Sequence, residues 1–120
     1  MYKYYNANPN KDTLPDCVTR AIHTALDIPY HKVVLMLYDI GDFHNCDELC
    51  VECYEKLLDA ELKLPHYVGD GSTIGEVASI YKDNILIIRT NGHLSCSLYG
   101  IVVDIWDCTK EECTDFWIVE

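Results

Sequence analysis

The apolar residues of this chain change their period near residue 84, and no other feature limits the fold so strongly. Before that point they recur three and four residues apart, as on one face of a helix; after it they run together or alternate, as in strands. Val18, Ala21, Ile22, Ala25 and Leu26 make one helical stripe, and Asp16 ahead of them stands where an N-cap belongs, so a helix is expected to about Asp27. Pro29 opens a second helix with Val33, Val34, Leu37 and Tyr38 facing inward and Gly41 at its end. A third, over Asp47–Leu62, would line up Cys46, Cys50, Cys53, Leu57 and Leu58. Thr73 with Glu76 three residues later matches a capping box and predicts a short helix over Ile74–Tyr81.

Past the switch, Asn84–Thr90 is a short, strongly apolar run that predicts a buried strand. Leu94–Leu98 and Ile101–Asp107 flank Tyr99-Gly100, a pair suited to a hairpin turn, and Asp115–Val119 makes a last strand. Residues 1–15, rich in Asn, Pro, Tyr and Lys, suit an ordered loop or a short edge strand. No repeat, low-complexity tract or linker divides the chain. The expectation is a single α+β domain over residues 1–120, with N-terminal helices packed on a small C-terminal antiparallel sheet.

Composition narrows the function. The 120 residues carry 9 Lys+Arg against 20 Asp+Glu, a net charge of −11, which excludes nucleic acid as a partner because binding its backbone needs clustered cations. The longest apolar runs, Val33–Tyr38 and Ile85–Ile88, fall far short of the ~20 residues of a membrane span, and the N-terminus has no signal-peptide pattern. A cytoplasmic location is expected. There the seven cysteines are reduced thiols, and their odd number leaves at least one unpaired in any case.

One of those thiols is placed for chemistry. Cys17 falls in the first turn of the first helix, where free N–H groups and the helix dipole favour a thiolate, although Asp16 beside it works the other way. His93 follows Asn91-Gly92 at the start of a strand. If Tyr99-Gly100 is a two-residue turn, Leu98 faces Ile101, Ser95 opposes Asp104 and His93 opposes Trp106. One face then gathers His93, Ser95, Ser97, Val102, Asp104 and Trp106, and the other, with Leu94, Cys96 and Val103, belongs to the core. Asp104 becomes the diagonal neighbour of His93, within reach to orient its ring, whereas Asp107 points away unless a bulge intervenes. A thiol hydrolase needs this set: a cysteine ionised by a histidine that a carboxylate holds.

The segments Asp16-Cys-Val-Thr-Arg-Ala-Ile22, Asn91-Gly-His-Leu94 and Gly100-Ile-Val-Val-Asp-Ile-Trp-Asp-Cys108 resemble the blocks of small papain-like proteins of bacteriophages. In order they are also similar, more distantly, to transglutaminase-like and bacteriocin-leader peptidase folds. The resemblance implies a papain-like cysteine peptidase-type fold and hydrolysis or transfer at an amide, isopeptide or ester bond of a protein or peptide. It implies Cys17 as nucleophile, His93 as general base and Asp104 as orienting group, with Asp107 as the alternative third member and no cofactor. Papain-like enzymes commonly use a Gln ahead of the Cys as an oxyanion donor. This chain has no Gln, which leaves Asn8 or Asn10 together with the Cys17 N–H. The alternative is a catalytically inactive papain-like domain that binds a host defence protein through an acidic surface around Asp39, Asp42, Asp47, Glu48, Glu52 and Glu55.

Other signals are weaker. Cys46, Cys50 and Cys53 have a cluster-like spacing but fall on one helical stripe, which is a packing pattern, and no metal is expected there. Cys108 and Cys113 form a loose pair of open role. His23, His31 and His66 have no spaced partners, and Arg20 is expected in an ion pair with an acidic neighbour.

Overall fold

The computed structural model describes residues 1–12 and 15–120, so positions 13 and 14 of the expected N-terminal loop lie outside it. In chain order the elements are β1 (Tyr2–Tyr4), α1 (Cys17–Leu26), α2 (Tyr30–His44) and α3 (Val51–Glu55), which runs into a π-helical turn at Lys56–Glu61. Then come β2 (His66–Val68), α4 (Ile74–Ile80), β3 (Ile85–Thr90), β4 (His93–Leu98), β5 (Ile101–Asp104) and β6 (Asp115–Ile118). No helix among the described residues is long and apolar enough to cross a membrane.

The four strands after residue 84 form where the period change predicts them. Tyr99 and Gly100 both take positive φ, +51° and +88°, and set Leu98 opposite Ile101, Ser97 opposite Val102 and Cys96 opposite Val103. The capping box also forms: the Glu76 N–H donates to Thr73 Oγ1 at 3.1 Å, and the Thr73 N–H donates to Glu76 Oε1 at 2.9 Å.

The sheet is larger than expected and mixed. Its order is β1-β5-β4-β3-β6-β2, antiparallel throughout except that β1 lies parallel to β5. The short edge strand expected within residues 1–15 forms as β1, but it pairs parallel to β5, and β2, also of three residues, adds an unexpected strand at the other edge. A stretch that short has too few alternations to show a period.

Both faces of the sheet are covered. Ile87, Leu94, Cys96 and Trp117 pack with α1, α2 and α3; Leu86, Ile88, Val102 and Phe116 pack on the other side with Ile74, Val77 and Ala78 of α4. That explains the unbroken apolar run of β3, which is buried on either side.

The helix boundaries need two corrections. Gly41 does not end α2, which continues to His44 and closes at Asn45 in the left-handed region. Gly41 serves close approach instead, because a Cβ there would sit 2.7 Å from the Cys46 carbonyl oxygen. Tyr38, expected inward, is exposed, and Ile40 takes its place in the core. The third helix starts only at Val51, so Cys46 and Cys50 precede it and only Cys53 lies on it.

Candidate active site

Three elements meet at the start of β4. Cys17 is the first residue of α1, His93 the first of β4 and Asp104 the last of β5. Cys17, His93 and Leu94 line the same groove, with the His93 ring and the Leu94 N–H near enough to the thiol to favour its thiolate. His93 Nε2 lies 2.7 Å from Asp104 Oδ2, which leaves Nδ1 as the ring nitrogen for Cys17. Ser95, across the ladder from Asp104, donates to the same Oδ2 at 2.7 Å, and the Ile105 N–H donates to Oδ1 at 2.7 Å. The carboxylate is thus held on both oxygens. Trp106 lies over the ring, centroids 5.1 Å apart, with its Nε1 3.2 Å from Nε2. A nitrogen that donates to Asp104 cannot also accept from an indole N–H, so Trp106 covers His93 rather than anchoring it.

The electrostatics follow from these contacts. Burial alone would push the Cys17 thiol up, but the hydrogen bonds from His93 and Leu94 and the charges of His93 and Arg20 bring it below its ordinary value. For His93, burial pulls the other way and is outweighed by hydrogen bonds to Asp104, Cys108 and Cys17, which raise the ring to about 11. Asp104, despite its burial, is held below the ordinary carboxyl range, chiefly by His93 and Ser95. At neutral pH this set favours a thiolate beside an imidazolium, the reactive form of a cysteine nucleophile.

Asp16 does not act as the sequence suggests. It stands at the N-cap but makes no capping hydrogen bond; its Oδ1 pairs with Arg20, while Oδ2 accepts from Tyr30 and, at 3.1 Å, from Asn8. The Arg20 guanidinium also lies 3.8 Å from Asp104 Oδ1. Arg20 therefore offsets the acid next to Cys17, which removes the objection that Asp16 would resist thiolate formation.

The remaining candidates lie elsewhere. The Asp107 carboxylate is exposed and accepts from the Thr109 N–H at 3.1 Å and hydroxyl at 2.6 Å, closing a local turn. The Asn8 amide is spent on Asp16, and Asn10 is exposed with its own N–H given to Asn8 Oδ1 at 2.8 Å. Neither is brought to Cys17 as an oxyanion donor. The N–H groups of the first turn of α1, which a helix leaves without internal acceptors, are what the site offers instead. Cys46, Cys50 and Cys53 interact with one another beside α2, where burial raises Cys46 and takes Cys53 to about 12, the mark of packing thiols.

Two groups went unrecognised in the sequence. Cys108, of open role, points its sulfur at Asp104 Oδ2, 3.7 Å away. His66 lies between Asp59 and Asp115, with Nε2 2.9 Å from Asp115, and stacks on Trp117. Only β2, which was not foreseen, brings His66 there. Among the described residues two clusters have the spacing to hold a metal ion, His93 with Asp104 and Cys108, and Glu55 with Asp59 and His66.

Cys17 and His93 open on a groove of about 520 Å³. Its lining includes Leu49, Val51, Tyr54, Arg89, Asn91 and Thr114. A second groove, of about 380 Å³ near Lys3 and Asp27, touches none of the three groups. No family model, no curated protein and no solved structure matches the chain.

Proposed function

We propose that the protein is a papain-like thiol hydrolase or transferase acting on an amide, isopeptide or ester bond of a peptide or protein. The observation that carries this reading is the His93–Asp104 pair, 2.7 Å apart, with His93 and Cys17 side by side on one groove. The Cys17 thiolate attacks the carbonyl carbon, and the imidazolium passes its proton to the leaving amine or alcohol. His93 then accepts a proton from water or an acceptor nucleophile, and the acyl–sulfur bond breaks. Asp104 keeps the ring in the tautomer that faces Cys17. With Asn8 and Asn10 engaged elsewhere, stabilisation falls to backbone N–H groups. A missing donor of this kind costs about 10²–10³ in kcat, so the enzyme is slow.

Iodoacetamide at pH ~6.5 tests the reading, since ordinary thiols with pKa near 8.5 are protonated there. Cys17 should be labelled well ahead of Cys46 and Cys50, the other partly exposed thiols, and His93→Ala should abolish the preference. Equal labelling of all three would refute it.

A second reading, an inactive domain that docks on a basic host protein, has one observation in its favour. Phe43 is 85 % exposed among the exposed carboxylates Asp39, Asp42 and Asp47. Charge reversal across these acids would abolish partner capture while Cys17→Ser left it intact.

A further inference from the structure

Cys108 has no part in the proposed catalysis, yet its fully buried sulfur, within the apolar cluster of Ile74 and Val102, lies 3.7 Å from a carboxylate oxygen. A thiol is a weak donor, and Asp104 Oδ2 already accepts from His93 and Ser95, so hydrogen bonding alone gives little reason for a cysteine at this point. The ligand atoms of His93, Asp104 and Cys108 lie within 4.8 Å of one another.

We propose that His93, Asp104 and Cys108 form a binding site for a borderline divalent transition-metal ion, Zn²⁺ above all. One imidazole nitrogen, one carboxylate oxygen and one thiolate sulfur suit zinc, whereas calcium and magnesium select all-oxygen sets. Three protein ligands leave the fourth tetrahedral position to water. The supports of the carboxylate are already in place, in the Ser95 hydroxyl and the Ile105 N–H. Trp106, 41 % exposed over the ring, is the group an entering ion displaces.

The protons balance simply. Cys108 releases one on becoming thiolate, and the imidazolium releases the one on Nε2, so two go to solvent for each ion bound. The ring keeps its proton on Nδ1, toward Cys17. A ring ligated through Nε2 can no longer take up a proton, so bound zinc switches off the shuttle described above. Metal binding itself is independent of that reading; only the inhibition rests on it.

Titration of the reduced full chain with Co²⁺ reads the donor set through the thiolate-to-cobalt charge-transfer band. The expected result is one ion per chain with that band, displaced by Zn²⁺. Cys108→Ser should lose the band and bind Zn²⁺ at least about tenfold more weakly, while Cys17→Ser and Cys46→Ser keep both. His93→Gln, at a partly exposed position and so independent of how Cys108 variants fold, should weaken Zn²⁺ likewise. No binding by the wild-type chain, a band that survives Cys108→Ser, or a band lost in Cys46→Ser would overturn the proposal. Cys17 alkylation in the metal-free chain is read separately, so failure of the catalytic reading is distinguishable from failure of the metal site.

Discussion

Arg20 is the residue on which the charged interior depends. It is buried on α1 between Asp16 and Asp104, two carboxylates that are themselves buried. Removing one partner of a buried ionic group leaves uncompensated charge, so Arg20→Met should cost about 3–5 kcal/mol, measured by urea unfolding. A loss below about 1 kcal/mol would mean that the carboxylates do not need it. Ser95 has a smaller part. Ser95→Ala removes one donor from Asp104 Oδ2, and a destabilisation of about 1–3 kcal/mol with slower Cys17 alkylation is expected. Unchanged alkylation would show that His93 and the Ile105 N–H suffice to hold the carboxylate.

The β4–β5 hairpin is the element that sets His93 beside Asp104, and its turn can be tested alone. Gly100 has φ +88°, and a Cβ added there would lie 3.1 Å from the Cβ of Lys82. Gly100→Ala should therefore cost about 1–2 kcal/mol in thermal or urea unfolding. The β6 strand gives a pH prediction. Burial pulls Asp115 upward, but hydrogen bonds from His66, Arg89 and Thr114 outweigh it and leave its carboxyl below the ordinary value. A carboxyl depressed in the folded state adds stability above the unfolded pKa, near 3.9, and loses it as pH falls toward the folded value. Asp115→Asn should thus lower stability at pH 7 and flatten the decline below about pH 4, read from urea midpoints. An acid slope equal to that of the wild type would contradict this assignment.

At the scale of the whole molecule, the sheet has two cores rather than one core and a wet face. Ile87 and Ile88 are neighbours in β3, fully buried on opposite sides. Ile87→Ala and Ile88→Ala should each cost about 2–5 kcal/mol, whereas a sheet with one exposed face would tolerate one of them. This arrangement also limits access to the site: Cys17 and His93 face the groove, while Asp104 and Cys108 lie beneath them with almost no exposure.

Local rules sufficed for much of this. The hairpin register, and with it the adjacency of Ser95, His93 and Asp104, follows from Tyr99-Gly100, because a two-residue turn leaves one pairing open and the pleat alternates strictly. The place of Cys17 at a helix start follows from the stripe beginning at Val18. The partners across long stretches of chain do not follow from any such rule. Nor do some partners only four to eight residues apart: Asp16 turns to Arg20 rather than capping its helix, Asn8 to Asp16 rather than to an oxyanion, and Cys108 to Asp104, all settled by packing. So was the meeting of Cys17 with His93, which are 76 residues apart in the chain of 120. Periodicity reports which face of an element is buried, and only the packing of α1 across β4 determines which buried groups touch.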